Sequence, residues 1–342
     1  MYKSLFIAIL IVFVSCQSCK AQNIGKELGK IFESYLDSGF TGVILVVKND
    51  SVVLQKAYGF ANEEKKILNT TKTLFNVASI GKQFTAATVL LLEEKGLLNT
   101  KDHVTKYTGK LGGLKDSATI EHLLLHSSGL FPEGFAFDYS SKEAFISSVS
   151  KSPLESVPGE KWRYSNAGYN LLAAIVEIVT KEPFEDVLYK MIFQPAGMSY
   201  TGFPWENRIQ INLLATGYNG KGEAQPPEVN VWGARGPGNL VTNTEDVLKW
   251  YTAAWIGNKI ISAKIKERML QDYITGKETF SWNKGTTATG KKFYHKGGGR
   301  PDFESNIMWW PDDNIFLFFS INRDRNLRKL IFRDISFFMN KL

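Results

Sequence analysis

The stretch "NVASIGKQFTA", residues 76–86, sets a serine three positions ahead of a lysine, at the start of the apolar run that continues to Gly96. Ser79 and Lys82 at i and i+3 share one face of a helical turn, so their side chains can meet. A serine hydroxyl is a poor nucleophile until a base takes its proton. A lysine can be that base when burial or a neighbouring cation lowers its pKa. The bland alternative is a helix cap followed by a solvated lysine. Ser-x-x-Lys occurs twice more, as Ser148/Lys151 and Ser281/Lys284. Pro153 soon follows the first, and Gly285 and Gly290 give the second the character of a loop. Neither precedes a long apolar helix.

Two further stretches carry candidate chemistry. "YSN", Tyr164-Ser165-Asn166, is the only Tyr-x-Asn in the chain and lies between a Pro-Gly turn and a strongly apolar helix pattern. Tyr164 can relay a proton there, and Asn166 can bind a substrate amide or Lys82. Read alone, the same residues make an ordinary helix N-cap. "YHKGGGRPDF", residues 294–303, ends a strand pattern with a cation, Lys296, and three glycines. A backbone N–H near Gly299 can join that of Ser79 as an oxyanion hole. Glycine clusters taken singly are weak signals.

In order, Ser-x-x-Lys, Tyr-x-Asn and Lys-Gly-Gly resemble the three motifs of the serine β-lactamase and penicillin-binding superfamily. The tyrosine in the second motif makes the chain most similar to the branch holding class C β-lactamases, D,D-carboxypeptidases, D-amino-acid peptidases and esterases. "TLFNVASIGKQFTA", "TIEHLLLHSSGL" and "PGNLVTNTEDVLKW" also resemble that family's sequence, so the likeness covers the chain from about Gly39 to the last strand. It implies acyl transfer without metal or organic cofactor. Ser79 is the implied nucleophile, Lys82 and Tyr164 the general base and proton relay, and Lys296 the electrostatic aid. Asn166, Gly298, Gly299 and Arg300 are the implied substrate contacts. The third motif departs from the family pattern. Alignment on Pro301 and Phe303 favours Lys296 over His295 as its first residue, Gly297 replaces a threonine, and Asp302 replaces a glycine. Those changes motivate a competing expectation: a binding protein of the same fold that holds a cell-envelope ligand without hydrolysis.

Working outward, "TGVILVVKNDSVVLQKAYGFAN" predicts a hairpin, "IGKELGKIFESYLDSG" (24–39) a helix ending at Gly39, and residues 79–95 a helix. The middle reads as mostly helical, with helices at 119–130, 166–182 and 243–255. Three strand runs follow, "KKFYHKGGG", "FESNIMWWP" and "NIFLFFSINRD", and the terminal "NLRKLIFRDISFFMNKL" is amphipathic. The expected fold class is mixed α/β: one antiparallel sheet built from both ends of the chain, flanked by helices, with a mostly helical region inserted. The loops "FPEGFAFDY" (131–139) and "VNVWGARGPG" (229–238) are expected to line the pocket.

With 342 residues, 44% of them apolar, the chain can build a large core. Residues 1–22 read as a signal peptide: Lys3, the apolar run Leu5–Val14, then small and polar residues. Both cysteines, Cys16 and Cys19, fall inside it. Two processing outcomes are open. Cleavage near Ala21 gives a soluble periplasmic protein, and lipid attachment at Cys16 or Cys19 gives an anchored lipoprotein. The hydrolase domain is then 23–342. The net charge of +7 is scattered, which disfavours nucleic acid as a partner. A small molecule or peptide is the expected partner, and a monomer the expected state. His122 and His126 lie four apart without a third ligand, so a zinc site is not expected.

Overall fold

The computed structural model of the chain describes residues 21–131, 139–227, 229–273, 278–323 and 326–341. The predicted signal segment through residue 20, with Cys16 and Cys19, and residues 132–138 of the predicted pocket loop lie outside them. None of the helices among the described residues is long and apolar enough to cross a membrane.

Strands β1 (Gly42–Lys48) and β2 (Ser51–Tyr58) form the predicted hairpin. Its tip, Asn49-Asp50, has φ of 49° and 60°, the left-handed pair that suits the twist of two-residue hairpins. β3 (Phe60–Asn62) pairs with β4 (Ile67–Leu68), and β5 (Phe75–Asn76) pairs across the chain with β6 (Val241–Thr242). β7 (Asn283–Thr286), β8 (Lys292–Gly299), β9 (Glu304–Trp310) and β10 (Ile315–Ile321) complete a six-stranded sheet of order β2-β1-β10-β9-β8-β7. Every pairing in it is antiparallel, and both ends of the chain contribute, as the sequence predicts. The late strands number four rather than three. Residues 283–286, expected as loop, pair with β8, Asn283 facing His295. A short edge strand carrying Lys and Gly has no apolar alternation to announce it.

Helices α1 (21–33), α2 (Lys82–Glu94), α3 (Thr105–Thr108), α4 (Ile120–Leu124), α5 (Lys142–Lys151), α6 (Asn166–Thr180), α7 (Phe184–Leu188) and α8 (Gln194–Ala196) follow in chain order. After them come α9 (Thr244–Trp250), α10 (Ala263–Leu270) and α11 (Leu327–Met339). α1 stops short of Gly39; the chain turns instead, Phe40 N–H closing on the Tyr35 carbonyl at 3.0 Å. Each main cap has a chemical cause. Ser165 accepts from Gly168 N–H at 3.0 Å to start α6, and Asn243 from Asp246 N–H at 2.9 Å to start α9.

Two apolar layers sandwich the sheet. Val43, Leu45, Val47, Phe316 and Phe318 face the inserted helices, while Ile44, Val46, Leu317 and Phe319 face α1 and α11. Burial on both faces is why β1 and β10 read as continuous apolar runs. α11 spends its apolar stripe, Leu327, Ile331, Ile335 and Met339, on that outer face.

Candidate active site

Strand β5 delivers the chain to a 3-10 turn, Ala78–Gly81, ahead of α2. Ser79 therefore sits before the α-helix, on a tighter turn than the predicted helix 79–95. A 3-10 turn has three residues per revolution, so side chains at i and i+3 eclipse. Lys82 Nζ lies 3.2 Å from Ser79 Oγ. Ala78, just ahead of the serine, has φ of 45°, a left-handed conformation that costs an alanine about 1–2 kcal/mol. Asn76 offsets part of that cost, its Oδ1 accepting from Ala78 N–H at 2.9 Å.

Lys82 is fully buried. Besides Ser79, its ammonium donates to Asn166 Oδ1 and the Pro237 carbonyl, both at 2.8 Å. Burial, reinforced by the charge on Lys296, holds it well below the usual lysine range, while the Glu278 charge pushes it back up. Tyr164 OH donates to Ser79 Oγ at 2.7 Å. Burial raises the Tyr164 phenol, and Glu278 raises it further, against the lowering effect of the Ser79 bond; at neutral pH it is protonated. Ser79 Oγ thus lies between a base candidate and an acid candidate.

β8 is brought in by its glycines. A Cβ on Gly298 would overlap the Val77 carbonyl oxygen, so only glycine lets the strand lie against the segment carrying Ser79. Strand alternation settles which third-motif side chain faces inward. Lys296 points to the Ser79 side, its Nζ 5.5 Å from the Tyr164 ring centroid; Lys82 Nζ is 4.8 Å from the same centroid. His295 faces outward and packs on Phe293 and Phe332. Gly297 also faces outward, where a Cβ would overlap the Arg328 guanidinium, so a side chain there would have to displace that arginine. Arg300 donates to Asn239 Oδ1 and, at 3.2 Å, to Asp302 Oδ1.

A cavity of about 40 Å³ opens beside Ser79, with Asn166, Ala234, Pro237, Gly299 and Arg300 in its wall. The site residues expected from the sequence therefore gather in one corner, with Lys296 joined to Ser79 through the Tyr164 ring. The predicted loop 229–238 contributes Ala234, Pro237 and Gly238. The other two Ser-x-x-Lys pairs go elsewhere: Ser148 Oγ bonds back to the Phe145 carbonyl within α5, and Lys284 pairs with Asp272.

Three participants escaped the sequence reading. Pro237 supplies a backbone carbonyl to Lys82 from the predicted pocket loop, a contact that no side-chain motif marks. Glu278 forms an ion pair with Lys296, both almost wholly buried. Its other oxygen lies 3.7 Å from His126 Nε2, which is also buried. His126 accepts from Ser165 N–H at Nδ1 (3.0 Å), placing its proton on Nε2, toward Glu278. Burial, with help from the Lys296 and Lys82 charges, drives its pKa well below the usual range and keeps it neutral. Its ring packs against that of Tyr164, tilted by 31° with centroids 4.4 Å apart. His122, by contrast, closes a capping box with Thr119, its Nδ1 accepting from Thr119 N–H at 3.3 Å. Among the described residues, no three His, Cys, Asp or Glu side chains gather in a way that could hold a metal ion.

A both-ends antiparallel sheet, an inserted helical region and a Ser–Lys–Tyr corner define the architecture shared by penicillin-binding proteins and class C β-lactamases. The Beta-lactamase family profile matches residues 28–335, and the chain belongs to that family, whose kind of chemistry is serine acyl transfer. It is 27% identical over 334 residues to Penicillin-binding protein 4* of Bacillus subtilis, covering 89% of this chain and 73% of that protein. It is 30% identical over 239 residues to Protein flp of Staphylococcus aureus, covering 66% of this chain and 48% of that protein, so it spans about half of that relative. Among solved structures, the octameric penicillin-binding protein homologue from Pyrococcus abyssi superposes with a TM-score of 0.78 at 26% identity, over 90% of this chain and 75% of that one. A class C beta lactamase from Rhodobacter sphaeroides, 17% identical, shares the fold with a TM-score of 0.79 over 91% and 98% of the two chains.

Proposed function

We propose that the protein is an exported serine hydrolase that cleaves an ester or amide through an acyl-enzyme on Ser79. The observation that carries the reading is the position of Ser79 Oγ, 2.7 Å from a protonated Tyr164 and 3.2 Å from a buried Lys82. Neutral Lys82 takes the Ser79 proton as Oγ bonds to the substrate carbonyl carbon. The oxyanion forms against the backbone N–H groups of Ser79 and Gly299, and the positive charge of Lys296 favours the charge that develops. Tyr164 gives its proton to the leaving oxygen or nitrogen as the carbonyl carbon's bond to it breaks, and Lys82 restores that proton. Water then attacks the acyl carbon, with the same groups acting in reverse. Asn166 holds Lys82 in place and presents its amide to the substrate, and Arg300 at the rim suits a substrate carboxylate. The small ester, the D-amino-acid peptide and the β-lactam remain the substrate classes that fit this chemistry. Export, soluble or through lipid on Cys16 or Cys19, rests on the N-terminal segment alone.

The test is intact-mass analysis after a fluorophosphonate. One adduct on the native chain, absent in Ser79→Ala, is the expected result. No adduct on either protein refutes the reading and favours a ligand-binding protein on the same fold.

A further inference from the structure

A second, much larger cavity lies beside the first. Its volume is about 710 Å³, within the roughly 300–1,000 Å³ typical of small-molecule sites. Three chain segments serve both cavities. Residues 76–78 give Asn76 to the large one and Ala78 to the small one. Residues 239–241 give Val241 and Asn239, and residues 300–303 give Asp302 with Phe303, and Arg300. The wall between them therefore includes side chains bonded to one another. Asn76 Nδ2 donates to Asn239 Oδ1 at 3.0 Å, and Arg300 bridges Asn239 to Asp302.

The two cavities differ in what they can hold. The small one accommodates little more than the reacting group, so a larger substrate must continue outside it. The large one has a buried apolar floor of Leu74, Val241 and Phe303. At its mouth Ile211, Leu68 and Ile67 are 74%, 63% and 48% exposed, three aliphatic side chains gathered at one opening.

We infer that the large cavity is a subsite for an extended, largely apolar chain of the substrate remote from the scissile bond, on the acyl or the leaving side, with the Asn76–Asn239–Arg300 wall crossed by the polar atoms next to the reacting carbonyl. The inference rests on the proposed hydrolase reading and adds the substrate class: esters or amides bearing an extended apolar group. Nothing in the geometry of Ser79 requires this preference; it comes from the neighbouring space.

The experiment compares kcat/KM across p-nitrophenyl esters of lengthening acyl chain, and across acetate esters of lengthening alcohol. The proteins are the native chain, Ala215→Trp, which fills the cavity, and Ile211→Asp, which charges its exposed mouth without touching the core. Burial of each methylene is worth roughly a threefold to fourfold gain. The expected result is that rise in at least one series, flattened in both variants, while fluorophosphonate labelling of Ser79 stays at the native rate. A flat response in both native series with labelling intact overturns the inference and leaves the hydrolase reading standing. Loss of labelling in the native protein strikes the hydrolase reading instead. The cavity is then read through dodecanoate binding to Ser79→Ala by calorimetry: binding weakened about tenfold or more by Ile211→Asp supports the subsite, and no binding refutes it.

Discussion

Glu278→Gln tests the electrostatics of the site most sharply, because it removes one charge and almost no volume. Glu278 is paired with Lys296, and both are nearly inaccessible to water. The Lys296 and Lys82 ammonium groups lie 5.5 and 4.8 Å from one ring centroid, so they are no more than about 10 Å apart. A unit charge at about 10 Å acts with about 1.7 kcal/mol at an effective dielectric constant of about 20. That corresponds to roughly one pK unit. Glu278 holds Lys82 up and Tyr164 up. Without its charge, both pKa values fall. Lys82 then becomes neutral at lower pH, so the acid limb of the fluorophosphonate labelling rate, read from about pH 5 to about pH 10, moves down by about one pH unit. Removing one partner of a buried pair commonly costs about 3–5 kcal/mol, less here because Gln keeps an acceptor for Lys296. Rates are therefore normalised to the fraction of protein that labels. In Glu278→Gln/Lys296→Met both charges are gone, and the limb returns toward its native position. An unmoved limb, or one that rises, would refute the assignment of Lys82 as the base whose field Glu278 sets.

Tyr164→Phe keeps the ring beside the two lysines and removes only the 2.7 Å bond to Ser79, so kcat should fall about 10²–10⁴-fold with the melting temperature little changed. Equal loss of stability and activity would make Tyr164 structural. His295 is pushed down to about 4, first by burial and then by Lys296 and Arg328. Between about pH 6.5 and pH 4 the unfolded chain binds a proton that the folded chain refuses, so stability falls as pH drops through that window. The loss is roughly 3 kcal/mol, and His295→Phe should lack it in denaturant titrations at the two pH values. Ala78→Gly relieves the left-handed alanine and should stabilise the fold by up to about 1 kcal/mol with labelling unchanged, whereas Asn76→Ala should destabilise it and slow labelling. A stabilised Ala78→Gly that no longer labels would show that the strain itself aims Ser79.

The large elements were legible because their physics is local. β1 and β10 are apolar runs buried on both sides, α6 and α9 carry their caps in sequence, and the hairpin turn is written in Asn49-Asp50. The three motifs were legible for the same reason, each lying at a turn or strand end with its own spacing. What escaped depends on partners far along the chain. Glu278 is one acidic residue with no spacing signal, yet it meets Lys296 eighteen positions later, across β7 and β8. β7 takes its structure from β8, and its polar residues carry no period of their own. The choice between His295 and Lys296 rested on a one-residue alignment argument until strand alternation put the first on α11 and the second on Tyr164. Gly297 looked like a lost substrate contact; in the fold its missing side chain makes room for Arg328.

The departures from local preference concentrate in one corner. Ala78 is left-handed, Lys82 is buried with no carboxylate among its three acceptors (Ser79, Asn166 and Pro237), and His126 is neutral beside the Glu278 carboxylate. A fold selected for stability alone would fill such a corner with apolar side chains, since burying ion pairs is seldom better than packing hydrocarbon. The depressed lysine makes the cost pH-dependent. Between its lowered pKa and the ordinary lysine value, the unfolded chain holds a proton that folded Lys82 does not, so the burden on stability eases as pH rises. The same titration creates the neutral amine that acylation needs. Ser79 reactivity should therefore rise through the lowered Lys82 pKa and level off, while stability goes on rising from there toward the ordinary lysine value; an unused structural lysine would give the second trend without the first.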